Sequence, residues 1–247
     1  MNHVPKLSTQ EGLLTDKNIL ITGSGSGIGR AVAKAAAEQG ANLILLSKDI
    51  KKLYSLQDEI CKKGYKEPLV VELDFFKAKE KDYKTLAENL YDQYEHLDGL
   101  VHIAGILGYL SPIINTSLSQ LKTVMQVNFE SNFLLTQLAL PLVLRSENPS
   151  IIFTSSGVGR KARAFWTSYS ISKFAVEGLM QSLADEYEND MRVNSYNPGP
   201  TRTNMRAQAF PAEDPQTLRT PEVIANDYLW LLSDQCKETG VMYNYHE

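Results

Sequence analysis

Short apolar runs alternate with longer amphipathic ones along most of this chain. Strand-like runs fall at 18–22, 42–46, 69–73 and 100–103, and helical periodicity occupies 28–39, 50–63 and 83–96. Strands separated by helical stretches of this length predict βαβ units on a parallel sheet. The runs Ile19-Leu20-Ile21, Leu43-Ile44-Leu45-Leu46 and Ile151-Ile152-Phe153 are continuously apolar, as expected of central strands covered by helices on both faces. A long helix over 119–144, a strand at 150–154, a helix at 167–188 and a strand at 192–196 continue the pattern. Between 197 and 221 the periodicity breaks around prolines 198, 200, 211, 215 and 221, which predicts a long connection and a substrate lid at about 200–221. A helix at 221–233 and a strand near 240–245 follow. With no repeat or linker, the expectation is one α/β domain over 1–247. Its core would be a doubly wound, Rossmann-type parallel sheet of about seven strands with helices on both faces.

Composition narrows the function. The chain has 247 residues, of which 43% are hydrophobic, enough for one substantial core. Its 25 basic and 29 acidic residues leave a net charge of −4 with no long basic cluster, which argues against nucleic acid or an anionic membrane as partner. Cys61 and Cys236 lie far apart, each read as part of an amphipathic helix, and neither joins a CxxC or Cys/His cluster. They read as packing thiols of a reducing cytoplasm. His3, His96 and His246 show no pairing logic, so no metal site is expected. Residues 1–15 carry only Val4, Leu7, Leu13 and Leu14 as large apolar residues, and no uncharged apolar run reaches the roughly 18 residues of a membrane span.

The strand at 18–22 runs directly into Thr22-Gly-Ser-Gly-Ser-Gly-Ile-Gly29 and then a helix. The spacing is Gly23-x3-Gly27-x-Gly29; a GxGxxG register fails, because Ile28 or Arg30 stands where the third glycine would be. Glycines let backbone approach phosphates, and a helix N-terminus offers free N–H groups and a positive dipole end. Gly23, Ser24, Ser26, Gly27, Ile28 and Gly29 therefore read as a dinucleotide cradle, with a plain flexible turn as the alternative. At the end of the second strand, where NAD enzymes place an acid against the ribose, the chain has Ser47 and Lys48. NADP(H) is favoured; Asp49 and the lack of a second cation at Ser26 leave NAD(H) open.

Tyr169-Ser-Ile-Ser-Lys173 places a phenol and an ammonium at i and i+4, on one helix face. A nearby cation favours the phenolate and lowers a tyrosine pKa from its usual value of about 10, which makes the pair an acid/base candidate. A surface pair is the alternative. Thirteen residues before Tyr169, Ser156 follows the apolar run 151–154, at a strand end where parallel-sheet enzymes build their sites.

The chain resembles a short-chain dehydrogenase/reductase of the typical length near 250 residues, over nearly all of its length, and within that family the YciK-type bacterial subgroup. Four segments carry the resemblance: Ile151-Ile-Phe-Thr-Ser-Ser-Gly-Val-Gly-Arg160, Ala184-Asp-Glu-Tyr187, Asn197-Pro-Gly-Pro-Thr-Arg-Thr203, and Met205-Arg-Ala-Gln-Ala-Phe-Pro-Ala-Glu-Asp-Pro215. It implies hydride transfer between a nicotinamide cofactor and a carbonyl/alcohol pair. Tyr169 would move the proton, Lys173 would lower its pKa and hold the nicotinamide ribose, Ser156 would polarise the carbonyl, and Asn128 would support a proton-conducting water. It also implies cofactor contacts at Asp74 and Phe75, Ala104 and Gly105, Pro198 and Gly199, and Thr201 and Thr203, with a helix N-cap as the alternative role of Thr203. Pairing into a homodimer or homotetramer through the helices at 119–144 and 167–188 follows from the same likeness.

One position departs from the family pattern: His102-Ile103-Ala104-Gly105 replaces the usual Asn-Ala-Gly, so Ile103 is expected to alter strand tethering. His102 reads as a strand residue. Substrate contacts are expected from Tyr109, Phe165, Trp166, Met205 and Phe210, an apolar and aromatic set, with Arg160, Lys161 and Arg163 as candidates for an anionic group or a solvated face. Two competing readings are a cofactor-gated binding protein without catalysis, and an extended-type epimerase or dehydratase.

Overall fold

The computed structural model describes residues 2–7 and 11–245; His246 and part of the N-terminal segment lie outside the described residues. In chain order the elements are β1 (Asn2–His3), β2 (Asn18–Thr22), α1 (Gly27–Glu38), β3 (Asn42–Ser47), α2 (Ile50–Lys62), β4 (Leu69–Glu72), α3 (Glu80–Gln93) and β5 (Gly99–His102). Then come α4 (Leu118–Met125), a π-helical turn (Gln126–Glu130), α5 (Ser131–Val143), β6 (Ser150–Thr154), α6 (Thr167–Glu186), β7 (Arg192–Asn197), α7 (Asn204–Ala209), α8 (Pro221–Leu232) and β8 (Met242–Asn244).

All strands pair in parallel, in the order β1-β8-β7-β6-β5-β2-β3-β4. Winding reverses direction between β2 and β5, whose registers align Leu20 with Leu100 and Ile21 with Val101. A crevice opens at such a switch point, beyond the carboxyl ends of the strands.

Alternate residues of each central strand serve different cores. Ile19, Ile21, Leu43, Leu45 and Ile152 pack on one face with residues of α1, α2 and α8. Leu20, Ile44, Leu46, Ile151 and Phe153 pack on the other with α3, α5 and α6. All these strand residues are buried, and each such side chain contributes about 1.5–3 kcal/mol of hydrophobic stabilisation. Apolar burial on both faces is what makes their sequence continuously apolar.

Four details differ from the sequence reading. The sheet has eight strands, because the exposed pair Asn2–His3 adds β1 to the edge beside β8. The helix expected over 119–144 is split by the π turn. The connection after β7 contains α7, capped by Thr203, whose hydroxyl accepts from the Arg206 N–H at 3.2 Å. Cys236 sits beyond α8, buried, whereas Cys61 lies exposed on α2. No helix among the described residues is long and apolar enough to cross a membrane.

Candidate active site

The turn after β2 is shaped by its backbone. Gly23 has φ +69°, and a side chain there would begin 2.9 Å from the Ala104 backbone; one on Gly29 would lie 2.3 Å from the Gly23 carbonyl oxygen. The loops after β2 and β5 therefore touch main chain to main chain. Thr22 secures this approach: its hydroxyl accepts from the N–H groups of Ile103 (3.0 Å) and Ala104 (3.1 Å) and donates to the Val101 carbonyl at 3.4 Å. That is how the two strand ends are tethered with Ile103 in place of the family's asparagine.

Helix α1 starts under this turn without a side-chain cap from Ser26 and without an acid in its first turn. Its first N–H groups remain available to an anion, reinforced by the helix dipole. They face a cleft of about 1910 Å³ whose wall includes Gly23, Ser26, Gly27 and Ile28. Ser47, Lys48, Asp74, Phe75, Ala104 and Gly105 line the same cleft. This donor set fits a dinucleotide. Ser24, expected among the contacts, is instead buried beneath the turn with its hydroxyl directed to the Leu46 carbonyl at 3.3 Å, and Gly29 serves by close packing. Asp49, the acid that left NAD(H) open, accepts from the Lys52 N–H at 3.2 Å as the N-cap of α2 and does not line the cleft. Asp74 accepts from the Phe76 N–H at 3.1 Å, closing the turn after β4.

The sequence reading missed Arg30 and Lys34, which line this end of the cleft. Their i,i+4 spacing on α1 was the available signal. Both pair with Glu59, and Arg30 foremost holds its carboxyl below the usual range.

At the other end Tyr169 and Lys173 project from the first turns of α6, 8% and 4% exposed. The Lys173 ammonium donates to the Thr154 carbonyl at 2.8 Å and lies 5.6 Å from the Tyr169 ring centre. Ser156, just past β6, accepts from the Val158 N–H at 3.4 Å. Burial pushes the Tyr169 phenol up to about 12, opposed by its hydrogen bond with Ser156. The lowering expected from Lys173 does not appear, because desolvation of the phenolate dominates and the ammonium is directed to Thr154. Burial draws Lys173 itself down to about 8, with the Glu177 charge opposing.

A lysine that loses its proton at lower pH in the folded chain than in the unfolded one destabilises the fold while charged. That cost is fully present below pH 8 and is relieved as pH rises from about 8 towards the unfolded value near 10.5. We expect Lys173→Met to remove a stability gain of roughly 1 kcal/mol per pH unit in that window. Urea unfolding from pH 7.5 to 10 measures it, and parallel stability profiles for the two proteins would refute it.

Asn128 sits on the π turn, a feature that often marks functional sites, and is fully buried. Its amide accepts from the Ile106 N–H (2.8 Å) and donates to the Ile106 carbonyl (2.9 Å) and the Ser172 hydroxyl (3.0 Å). It thus clamps the loop after β5 against α6. A side chain on Gly105 would lie 3.3 Å from its Oδ1 and 3.9 Å from the Lys173 nitrogen, so all three groups converge. His102 is buried, stacked on Phe153 at 4.8 Å, and held neutral by burial, which draws it down to about 3.

Pro198, Gly199, Thr201 and Thr203 line the cleft opposite, Thr203 also packing against Gly27. Behind Gly199 lies the Tyr245 ring, so close that a side chain on Gly199 would overlap it. Tyr245 was not singled out from the sequence; the backbone bond from its N–H to the Asn197 carbonyl, at 3.0 Å, and the Arg219 guanidinium 4.9 Å from its ring centre help to place it there. Of the expected substrate contacts, Trp166, Met205 and Phe210 line the cleft, and Tyr109 stands at its rim, 82% exposed. Phe165 does not line it: with φ +72° its ring turns outward and is 57% exposed. Arg160 also leaves the cleft, donating to Glu177, Asn244, Ser195 and the Tyr243 carbonyl.

A glycine turn over an uncapped helix, at the switch point of a parallel sheet and joined in one cleft to Ser156, Tyr169 and Lys173, defines a class of nucleotide-dependent oxidoreductase. The family model for short chain dehydrogenases matches residues 17–214. The chain belongs to the short-chain dehydrogenase/reductase family and is an NAD(P)-dependent oxidoreductase. The uncharacterised oxidoreductase YciK of Escherichia coli (strain K12) is 44% identical over 245 residues, spanning 99% of this chain and 96% of its own. A short chain dehydrogenase of Escherichia coli CFT073, solved with NADPH, matches with TM-score 0.93 at 45% identity, covering 95% of this chain and 98% of its own. One from Shigella flexneri 2a, solved with NADP, matches with TM-score 0.93 at 44% identity, covering 95% and 99%.

Proposed function

We propose that this protein is an NADP(H)-dependent reductase that interconverts a carbonyl and a secondary alcohol. The observation that carries the reading is that Ser156, Tyr169 and Lys173 meet in the cleft onto which the free N-terminus of α1 opens. Gly23, Ser26, Gly27 and Ile28 would hold the pyrophosphate, Ser47 and Lys48 the 2′-phosphate, Asp74 and Phe75 the adenine, and Ala104, Gly105, Pro198, Gly199, Thr201 and Thr203 the remainder. Bound there, the nicotinamide supplies or accepts the hydride. Ser156 donates a hydrogen bond to the carbonyl oxygen, and Tyr169 delivers the proton to that oxygen. Lys173 would hold the nicotinamide ribose, and Asn128 keeps the wall beside Lys173 in place. The segment 200–221, with Met205 and Phe210, closes over the substrate.

Two relatives solved with NADPH or NADP support the cofactor preference, as does the engagement of Asp49 in capping α2. Thermal shift is the test: NADPH at equal concentration is expected to raise the melting temperature more than NADH, and the reverse order would overturn the preference. The two unpaired cysteines support a cytoplasmic setting. Exposed Phe133, Ile171 and Phe174 on α5 and α6 support a homodimer or homotetramer, against which a monomeric light-scattering mass would count.

A further inference from the structure

Three cations follow Ser156 in the loop before α6, and only one of them reaches the cleft. Arg160 is committed to Glu177 and β8, and Lys161 is exposed away from the cleft wall. Arg163 lines the cleft, its guanidinium carbon 6.0 Å from the centre of the Trp166 ring and 5.5 Å from that of Phe210. Trp166 stands edge-on to Tyr169 at 6.0 Å and tilted against Phe210 at 5.8 Å. Apolar rings therefore lead from the phenol to the guanidinium.

The charge on Arg163 is uncompensated. Arg206 also lies over Phe210, at 3.8 Å, but Glu213 binds it through two hydrogen bonds of 2.6 and 2.5 Å. Glu222 enters the wall from α8 and pairs with neither arginine. Among the described residues no acidic side chain pairs with Arg163.

The backbone aims this group. Trp166 N–H donates to the Arg163 carbonyl at 3.2 Å, closing a turn whose third residue, Phe165, takes the left-handed conformation that bulky side chains avoid. The Ser111 N–H fastens that turn by donating to the Phe165 carbonyl at 3.0 Å. Strain of this kind persists where the surrounding structure enforces it, and here it sets Trp166 and the exposed Arg163 on the cleft wall with Phe165 off it.

An unpaired guanidinium flanked by aromatic rings recognises an anion carried on an apolar body. We propose that the substrate is an oxo acid whose carboxylate is held by Arg163, whose flat apolar body lies on Trp166 and Phe210, and whose carbonyl reaches Ser156 and Tyr169. Two steps of 6.0 Å put the guanidinium carbon and the phenol ring centre no more than 12 Å apart, a limit that favours a body no longer than one benzene ring substituted at both ends. The proposal rests on the carbonyl-reductase reading above.

Its test is calorimetric binding of para-acetylbenzoate and of its methyl ester to the enzyme saturated with NADP⁺. The acid is expected to bind about tenfold tighter than the ester, the size of one favourable charge-assisted contact. Arg163→Gln removes that preference and Lys161→Gln keeps it. Equal affinities in the unmodified enzyme, no measurable binding of the acid, or a preference that survives Arg163→Gln would each overturn the assignment. Failure of the reductase reading shows separately, since binding is read without turnover: it would appear as undiminished turnover by Tyr169→Phe.

Discussion

Tyr169→Phe is expected to lower kcat by about 10²–10⁴-fold, the usual contribution of a positioned general acid, while NADPH still shifts the melting temperature as in the unmodified protein. Phenylalanine keeps the ring that meets Trp166 edge-on at 6.0 Å and that packs beside Lys173; only the hydroxyl is lost. Because burial pushes that hydroxyl up to about 12, it is protonated throughout the neutral range, the form required to donate in carbonyl reduction. Steady-state NADPH oxidation with a carbonyl panel measures the effect. Undiminished turnover would assign the proton to another group and defeat the mechanism.

Arg160→Met is expected to cost about 3 kcal/mol, the lower part of the range for removing one partner of a buried ion pair. At this chain length that corresponds to a melting temperature lowered by about 6–12 °C. Glu177 is 3% exposed and accepts from Ser155, Ser195 and Arg160, at 2.6 Å from Ser195 and 3.1 Å from Arg160. Its two serine partners remain in the variant, which is why the lower part of the range applies. Arg160 also ties β8 to the sheet through Asn244 and the Tyr243 carbonyl. Calorimetric melting tests the prediction. Arg160→Met combined with Glu177→Gln should recover part of the loss by removing the stranded carboxylate; a double variant as unstable as the sum of the single ones would show that the two groups do not act as a pair.

Much of the architecture was legible because burial on both sheet faces forces continuous apolar runs, as at 19–21 and 151–153. Tyr169 and Lys173 were legible through helical spacing, and the glycine turn through its place between a strand and a helix. Features set by long-range contact were not. Asn2 and His3 are polar and exposed, so no hydrophobic pattern announces β1. Arg160 and Lys161 look alike along the chain, and partners distant in sequence, Glu177 seventeen positions away and Asn244 on β8, separate their roles. The upward shift of Tyr169 depends on how completely neighbouring elements exclude water, which the i+4 lysine alone does not reveal. Phe165 looked like its neighbour Trp166 until the sign of one backbone angle sent its ring outward.

The wide turn at Gln126–Glu130 has a consequence for anyone altering the length of this chain. An ordinary helix turns about 100° per residue, and the π turn absorbs one extra residue in a single wider turn, so adding a further residue here in ordinary helical winding would rotate α4 against α5 by that angle. Either the α5 residues packed on Leu100 and Phe153 or the hold of Asn128 on Ile106 would be lost. The irregularity acts as a fixed phase offset, letting one rod address the core at one end and the cleft at the other.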